Sequence, residues 1–221
     1  MQEDIIKDIR KRCRMAMNGI VSTNMRQRGL DYKLNFGLTV QQIKDLAKRY
    51  QPDSELAETL WADNTRELKI LATLLYPTDS FTKEKADEWV LSIPNQEIRE
   101  QVCANLLQNV TFAREIALEW ANSTVTDVRA TGYWLLARLF IAKKTEPVAV
   151  ELISTIWDDV ISEDIFLRNA ALLTLKHIGR QFKDIADRIL QKLSVYKEDK
   201  DLIKQEAFNS IAFEFDYFFE G

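Results

Sequence analysis

The apolar residues of this chain recur at helical spacing along nearly its whole length. In residues 54–61, Leu56, Leu60 and Trp61 fall on one stripe, because positions three to four residues apart share a helix face. Asp53 precedes the stripe and can accept hydrogen bonds from the amides of a first turn, as an N-cap residue does. The pattern predicts a series of helices with short connections. The predicted helices span residues 54–61, 65–76, 82–90, 95–110, 112–121, 126–143, 147–157, 165–178, 185–193 and 201–218.

Four tryptophans close successive amphipathic helices and indicate an internal repeat. Trp61, Trp89, Trp120 and Trp157 follow one another at separations of 28, 31 and 37 residues. Irregular spacing of this size is typical of HEAT or armadillo repeats, in which each helix pair buries one face against its neighbours. We therefore expect an all-α fold, a curved HEAT-like or armadillo-type superhelix of antiparallel helix pairs. No linker interrupts the pattern, so residues 1–221 are expected to form a single domain, with a bundle lacking true repeats as the alternative.

The amino-acid composition and the apolar runs of the chain argue against several classes of protein. The chain has only 6 glycines and 4 prolines, few for a protein rich in hairpins. Its apolar runs, such as residues 133–142, are interrupted by charges and fall short of the roughly 20 residues that span a bilayer. The first residues do not resemble a secretory signal, so a cytoplasmic location is expected. Cys13 and Cys103 are too few for a disulfide framework or a zinc site, and His177 is the only histidine, which excludes multi-histidine metal sites.

Charge is unevenly distributed along the chain. The net charge of −4 argues weakly against a nucleic-acid partner, but residues 7–49 carry 11 basic residues against 3 acidic ones. The last 26 residues lean the other way, with 7 acidic residues against 3 basic ones. Such asymmetry can leave one face attractive to phosphates while the total stays negative. A solvated helix face is the alternative interpretation.

The chemistry-bearing residues of this sequence are carboxylates, arginines and aromatics. The chain has no glycine-rich phosphate loop, no paired CxxC and no HExxH motif. In the helix predicted at residues 95–110, Asn95 can cap the first turn, and Gln96, Glu100 and Cys103 follow one another on a single stripe. Glu100 therefore borders apolar side chains. A carboxylate in that position is either ordinary surface or a catalytic group.

Six segments in order along the chain carry a resemblance to a known family: NFGLTVQQIKDLAKRY (35–50), LWADNTRELKILATLL (60–75), DEWVLSIPNQEIREQVCANLL (87–107), ALEWA (117–121), VRATGYWLLARL (128–139) and FLRNAALLTLKHIGR (166–180). Over about residues 30–185 the sequence resembles the bacterial DNA alkylation repair proteins, the AlkD-like DNA glycosylases. The resemblance implies a HEAT-like solenoid whose concave basic face holds alkylated duplex DNA. It also implies release of N-alkylated purines by cleavage of the glycosidic bond, without a cofactor or metal.

The resemblance assigns catalytic roles to three residues. The family commonly has a tryptophan and, four residues later, an aspartate where this chain has Gln96 and Glu100. Glutamate keeps the charge about one methylene further out, and a carboxylate can stabilise the positive charge that develops on the sugar. The family's active-site arginine corresponds to Arg129, or to Ala130 if the match shifts by one residue. A second family tryptophan corresponds to Leu173, so an aromatic wall is missing.

Tyr133 or Trp134 could replace a lost aromatic, with core packing as the alternative. Three hypotheses remain: a glycosylase, a relative that binds DNA without catalysis, and a scaffold that binds a protein partner. The first two need cations that contact phosphates, because arginine and lysine hold the nucleic-acid backbone. The predicted DNA contacts are Arg26, Arg28, Lys33, Lys44, Arg66, Lys69, Arg99, Arg138, Lys143, Lys144, Arg168 and Lys176.

Overall fold

The computed structural model describes residues 2–30 and 32–220, and every α-helix or 3-10 helix named here lies within them. The 3-10 helices are Thr78–Ser80, Leu107–Asn109, Val150–Leu152 and Ser194–Tyr196. In the described part of the chain the α-helices are α1 (Gln2–Met15), α2 (Gly19–Gln27), α3 (Val40–Ala47), α4 (Ser54–Ala62), α5 (Arg66–Leu75), α6 (Lys83–Leu91), α7 (Gln96–Asn105), α8 (Ala113–Ala121), α9 (Thr126–Ile141), α10 (Ile156–Asp159), α11 (Ile165–Gly179), α12 (Lys183–Leu193) and α13 (Leu202–Glu220).

The helices divide between two compact units. The first unit comprises Met1–Ala86 and Ile93–Val110, and the second comprises Asp87–Ser92 and Thr111–Gly221. In the first unit α5 packs against α3, α4 and α7. In the second unit α9 packs between α8 and α11, and α11 also contacts α12 and α13. The single domain expected from the sequence stays a prediction, since a division by packing does not measure independent folding.

Local caps fix the starts of several helices, including α4, for which the sequence predicts Asp53 as the N-cap. The Asp53 side chain accepts from the Leu56 backbone N–H at 2.7 Å and caps α4. Thr39 and Gln42 form a reciprocal capping box at the start of α3, in which each side chain bonds the other's backbone N–H. These bonds satisfy amides that have no partner within the helix, so the start of each helix is fixed locally.

The tryptophans that suggested repeats lie mainly in the packed interior. Trp61, Trp89 and Trp120 are 5%, 3% and 3% exposed. The Trp120 indole N–H donates to the Asp87 carboxylate at 2.8 Å, so its polar atom is satisfied while the ring packs. Trp157 is only half-buried. Three of these tryptophans therefore lie buried near the end of a helix, as predicted, whereas Trp157 lies near the start of the short α10.

Gly132 permits the close approach of α8 and α9. A Cβ at this position would lie 2.3 Å from the Ala121 backbone nitrogen and 2.9 Å from the Ala117 carbonyl oxygen. Both atoms belong to the α8 backbone, which cannot move away as a flexible side chain could. A glycine inside α9 therefore costs helix propensity but allows the backbones to touch.

Two predicted helices differ from the structure. The helix predicted over 95–110 ends at Asn105 and gives way to the 3-10 helix Leu107–Asn109. The helix predicted over 147–157 is wrong, because only the 3-10 helix Val150–Leu152 and the short α10 form there. The Val148 backbone N–H donates to the Gln181 side chain at 2.8 Å, and that side chain returns a bond to the Val148 carbonyl at 3.1 Å. A distant side chain thus occupies the Val148 carbonyl, which a helix beginning at residue 147 would use as an acceptor.

Both cysteines are buried free thiols, which agrees with a structural role. Burial raises the pKa of Cys13 to about 12, so its thiol stays protonated at neutral pH. Within residues 2–30 and 32–220, no helix combines the length and apolar character needed to cross a membrane.

Candidate nucleic-acid interface

The first turn of α7 places the predicted catalytic pair, Gln96 and Glu100, side by side. Asn95 caps this helix by accepting from the Ile98 backbone N–H at 3.1 Å. The Gln96 amide nitrogen donates to a Glu100 carboxylate oxygen at 3.1 Å, and the Gln96 oxygen accepts from Arg99 Nη1 at 2.7 Å. Glu100 is therefore oriented by a neighbour one helical turn away while its side chain stays partly open to solvent.

Cys103 follows Glu100 on the same face of α7, whereas Leu107 lies beyond the end of this helix, in the 3-10 helix Leu107–Asn109. Cys103 is fully buried and Leu107 is 2% exposed. A carboxylate at such an edge loses part of its hydration, so its charge acts more strongly on a nearby cation than a charge on open surface does. The catalytic roles of Glu100 and Gln96 stay predictions.

The two aromatics that could replace a family tryptophan lie in different surroundings. Tyr133 is fully buried, and its hydroxyl lies 2.7 Å from both the Asp159 carboxylate and the Thr155 hydroxyl. Burial raises the pKa of Tyr133 above its ordinary value, so the hydroxyl remains a hydrogen-bond donor. This is core packing. Trp134 and Leu173 are half-buried.

A buried ionic network in the first unit joins α5, α7 and the segment before α3. Arg66 Nη2 lies 2.7 Å from a Glu97 oxygen, and Arg66 Nη1 lies 3.1 Å from a Glu67 oxygen. Glu67 also accepts from the backbone N–H groups of Phe36 at 3.0 Å and Leu38 at 3.2 Å. Burial lowers the pKa of Arg66, but the two carboxylates outweigh burial and leave the pKa above its ordinary value. The network therefore holds the chain before α3 against α5 and α7.

Three predicted DNA contacts are buried, and the prediction is corrected for them. Arg66, Lys69 and Arg99 are 1%, 7% and 3% exposed. Lys69 Nζ donates to the Trp61 carbonyl at 2.6 Å, and burial lowers the pKa of this lysine. A side chain enclosed in this way cannot reach a phosphate, because the protein already occupies its donors.

Four other predicted contacts of the first unit remain on its surface. Arg26 and Arg28 lie at the C-terminal end of α2, Lys33 follows in the next segment, and Lys44 lies on α3. All four are exposed. Among residues 2–30 and 32–220, no carboxylate is paired with any of them. Their charges are thus available to an anionic ligand.

Arg129 is held within the second unit by a carboxylate that the sequence did not reveal. Arg129 Nε lies 2.7 Å from one Asp159 oxygen, and Arg129 Nη2 lies 3.1 Å from the other. Arg129 Nη1 donates to the Ser123 carbonyl at 2.8 Å. Asp159 is 5% exposed, and it also accepts the Tyr133 hydroxyl. Ala130, the alternative position for the family arginine, is buried at 3% exposure, and the assignment of the family arginine to Arg129 stays a prediction.

The remaining predicted contacts of the second unit vary in availability. Lys143 and Lys144 are exposed beyond the end of α9, where Lys143 takes a left-handed conformation with φ 55°. Lys176 Nζ lies 3.6 Å from a Glu214 oxygen, and Arg168 donates to the Ser162 carbonyl. Arg138 and Arg168 are half-buried. The two lysines after α9 are therefore the most exposed residues of this group.

The sequence missed the acidic partners of the arginines. Glu67, Glu97 and Asp159 each pair with an arginine that we assigned to DNA or catalysis. Tyr32 also donates to Glu97, at 2.8 Å. The available signal was an arginine in a helix that also carries several apolar residues, because a charge that becomes buried there needs a carboxylate. Within the described residues, no group of three or more histidine, cysteine, aspartate or glutamate side chains could hold a metal ion.

Comparison with known proteins identifies the family. A solved structure described as "A new family of proteins related to the HEAT-like repeat DNA glycosylases with affinity for branched DNA structures" is similar to the chain, with a TM-score of 0.71 and 16% identity. The match covers 96% of this chain and 94% of that one, so the expected all-α HEAT-like fold is confirmed. No protein with a curated description matches the sequence. Residues 22–211 match the family model described as DNA alkylation repair enzyme, which confirms the resemblance, and the chain belongs to that family.

Proposed function

We propose that this chain binds duplex DNA through exposed cations of its first unit, chiefly Arg26, Arg28, Lys33 and Lys44. The observation that carries the proposal is that all four are exposed and that no described carboxylate neutralises them. Phosphate contacts supply most of the affinity in such binding, and they need accessible charge more than a positive total. Membership of a DNA alkylation repair family supports DNA as the polyanion.

The proposal has two finer parts. The DNA lies on the concave face that the resemblance implies, and the protein acts in the cytoplasm. A similar structure is described as having affinity for branched DNA, which supports testing branched substrates beside plain duplex. Recognition of a backbone rather than of base edges fits both substrates, because phosphates are common to them.

The test is a fluorescence anisotropy titration of labelled duplex and of a labelled four-way junction over a range of salt. For the wild type we expect affinity to fall steeply as salt rises. The double variant Arg26→Ala, Arg28→Ala should bind at least about tenfold more weakly, with a salt slope smaller by about two, roughly one per lost phosphate contact. The two substrates report whether the branch point adds affinity.

The matched control is Lys197→Ala, Lys200→Ala, which removes the same two charges from exposed positions of the second unit. Its affinity should stay within about twofold of wild type, since these lysines are not among the proposed DNA contacts and exposed charges are screened at physiological salt. Equal weakening in both double variants would mean that net charge governs the binding and that these arginines do not make the contacts. Absence of DNA binding in the wild type would favour the scaffold hypothesis.

Base release is a second candidate, favoured by the fixed orientation of Glu100 next to Gln96. An N3- or N7-alkylated purine is cationic and leaves with the electron pair of its glycosidic bond, which neutralises it. Positive charge then develops on the sugar, and a water molecule adds to the anomeric carbon and loses a proton. An oriented carboxylate stabilises that charge, which is the role we propose for Glu100.

The test of base release is an assay for methylated purines freed from methylated duplex DNA. If the wild type is active, Glu100→Gln should lower the rate by about 10², as removal of one preorganised electrostatic group does, while DNA affinity stays unchanged. Gln101→Glu added to the Glu100→Gln variant is not expected to restore activity, because a carboxylate at the next position points to another side of α7. No release by wild type that binds DNA would assign the chain to binding without catalysis.

A further inference from the structure

The solvent-exposed face of α13 combines aromatic and acidic side chains. Phe213 and Tyr217 are each 74% exposed. Glu206 and Asp216 are exposed on the same side of the helix, because residues at spacings of three and four share a face. Together these four residues form the acidic aromatic face. Two large aromatic rings left in solvent on one helix face indicate a contact surface.

The first unit carries a groove of the opposite character between α1 and α3. The groove encloses about 360 Å³. Its lining includes the apolar side chains of Met15, Leu38 and Leu46 together with the guanidinium groups of Arg12 and Arg49. We call this the α1–α3 groove. It can receive an aromatic side chain and place cations beside it.

The charges at the rim of the groove are available to a partner. Arg49 is exposed, and within the described residues no carboxylate pairs with it. Arg12 is held by Asp8 at 2.8 Å. The groove also contains Asp45, but Lys48 neutralises this carboxylate at 2.6 Å. The net character of the rim is therefore positive.

Exposed apolar side chains recur along the chain from the end of α1 into the first turn of α2. Met15 is 78% exposed, Met17 is 57% exposed and Ile20 is 76% exposed. Methionine adapts its shape to irregular partners, which suits a docking surface. Plain DNA binding does not explain these residues, because phosphates are held by donors and gain nothing from an apolar floor.

We propose that the acidic aromatic face of one copy docks into the α1–α3 groove of a second copy. Phe213 and Tyr217 enter the groove against Met15 and Leu46, and Asp216 approaches Arg49. The occupant is a second copy because this chain itself carries the complementary surface, acidic and aromatic against basic and apolar. Such a contact joins two different surfaces, so it can continue from copy to copy or close into a ring.

The first test is sedimentation of the full chain from about 1 µM to about 1 mM, a range that covers weak to moderate dissociation constants. The wild type should shift from the 25.7 kDa monomer to larger species as concentration rises. The groove variant Met15→Glu, Arg49→Glu and the face variant Phe213→Ser, Tyr217→Ser should each lose at least about tenfold in association constant, as expected for the anchors of an interface. Circular dichroism confirms that each variant is folded.

The second test mixes the two variants in equal amounts. The groove variant retains an intact acidic aromatic face, and the face variant retains an intact groove. The mixture should therefore form a dimer of about twice the monomer mass and no larger species. Each variant has only one intact surface, so no third copy can be added. If two copies instead associated through their α13 helices, the groove variant would still associate by itself, and a dimer would not require the mixture.

The control variant is Leu91→Ser, Val195→Ser, whose parent residues are 70% and 72% exposed outside both proposed surfaces. It should associate as the wild type does. A wild type that stays monomeric throughout the range would overturn the proposal. So would a mixture that fails to dimerise, or a control variant that weakens association as much as the others.

Discussion

Arg66 and Glu67 show how charged side chains are stabilised in the interior of this protein. Arg66 is 1% exposed, and two carboxylates and the Leu38 carbonyl accept from its guanidinium. Glu67 is fully buried and accepts two backbone N–H groups in addition to the arginine. Removal of one member of such a pair leaves an uncompensated buried charge, which costs more than the pair contributes. The placement of the segment before α3 therefore depends on the Glu67 side chain.

Glu67→Gln should accordingly destabilise the protein by about 3 kcal/mol, since glutamine is neutral and cannot replace both carboxylate oxygens as acceptors. Urea unfolding followed by circular dichroism measures the change. Glu55→Gln is the control, because Glu55 is exposed in the first turn of α4 and its neutralisation should change the free energy of unfolding by less than about 0.5 kcal/mol. Similar losses in both variants would show that Glu67 acts through general charge rather than through its buried partners.

His177 gives the molecule a pH dependence in a defined window. The ring stacks on Phe140 with 6.0 Å between centroids. Burial lowers the pKa of His177, with a further contribution from Arg180, while Glu214 opposes them. The unfolded chain therefore binds a proton at a higher pH than the folded chain does. Stability must fall as pH drops below the unfolded value of about 6.5.

Unfolding midpoints in urea at pH 7.5 and pH 5.5 test this. His177→Gln should abolish most of the difference, because His177 is the only histidine and carboxylates titrate mainly below about pH 5. An unchanged difference in the variant would assign the effect to other groups.

At the scale of whole elements, helices with local caps were predictable and those governed by distant contacts were not. Asp53 and Asn95 each lie next to the first residue of the helix that they cap, so the starts of α4 and α7 could be predicted from the local sequence. The segment at 147–157 has helical periodicity, but Gln181 takes its backbone bonds from 33 residues away. The same limit applies to the candidate site. The Gln96–Glu100 contact follows from helical spacing, whereas the pairing of Arg129 with Asp159 spans 30 residues and has no local signal.

The packing of α8 on α9 depends on Gly132. Alanine inside a helix normally adds up to about 1 kcal/mol of stability over glycine. Here the added Cβ meets backbone atoms of α8 at 2.3–2.9 Å, so Gly132→Ala should destabilise the protein by about 1–3 kcal/mol. Thermal unfolding measures the difference. Gly19→Ala, at the first residue of α2 with no atom within 4 Å of its Cβ position, should be neutral or mildly stabilising. A gain from both substitutions would mean that the helices separate at little cost.

At the scale of the whole molecule, we assign the basic and the acidic residues to two different contacts. The net charge alone does not reveal this division. The exposed arginines and lysines of the first unit serve DNA in our proposal, whereas the acidic residues of α13 serve contact with a second copy. Glu206→Gln, Asp216→Asn raises the net charge from −4 to −2, since it removes two of the 34 acidic residues. If net charge governed DNA binding, this variant would bind more tightly at every salt concentration.

We expect instead that DNA affinity stays within about twofold of wild type, because neither carboxylate is among the proposed DNA contacts and exposed charges are screened over a Debye length of roughly 8 Å at physiological salt. Self-association should weaken several-fold, and its dependence on salt should become shallower, because the carboxylates that face Arg49 of the second copy are gone. Anisotropy and sedimentation on the same preparations measure the two effects side by side. Tighter DNA binding with unchanged association would contradict both assignments, since the acidic helix would then act only by repelling DNA.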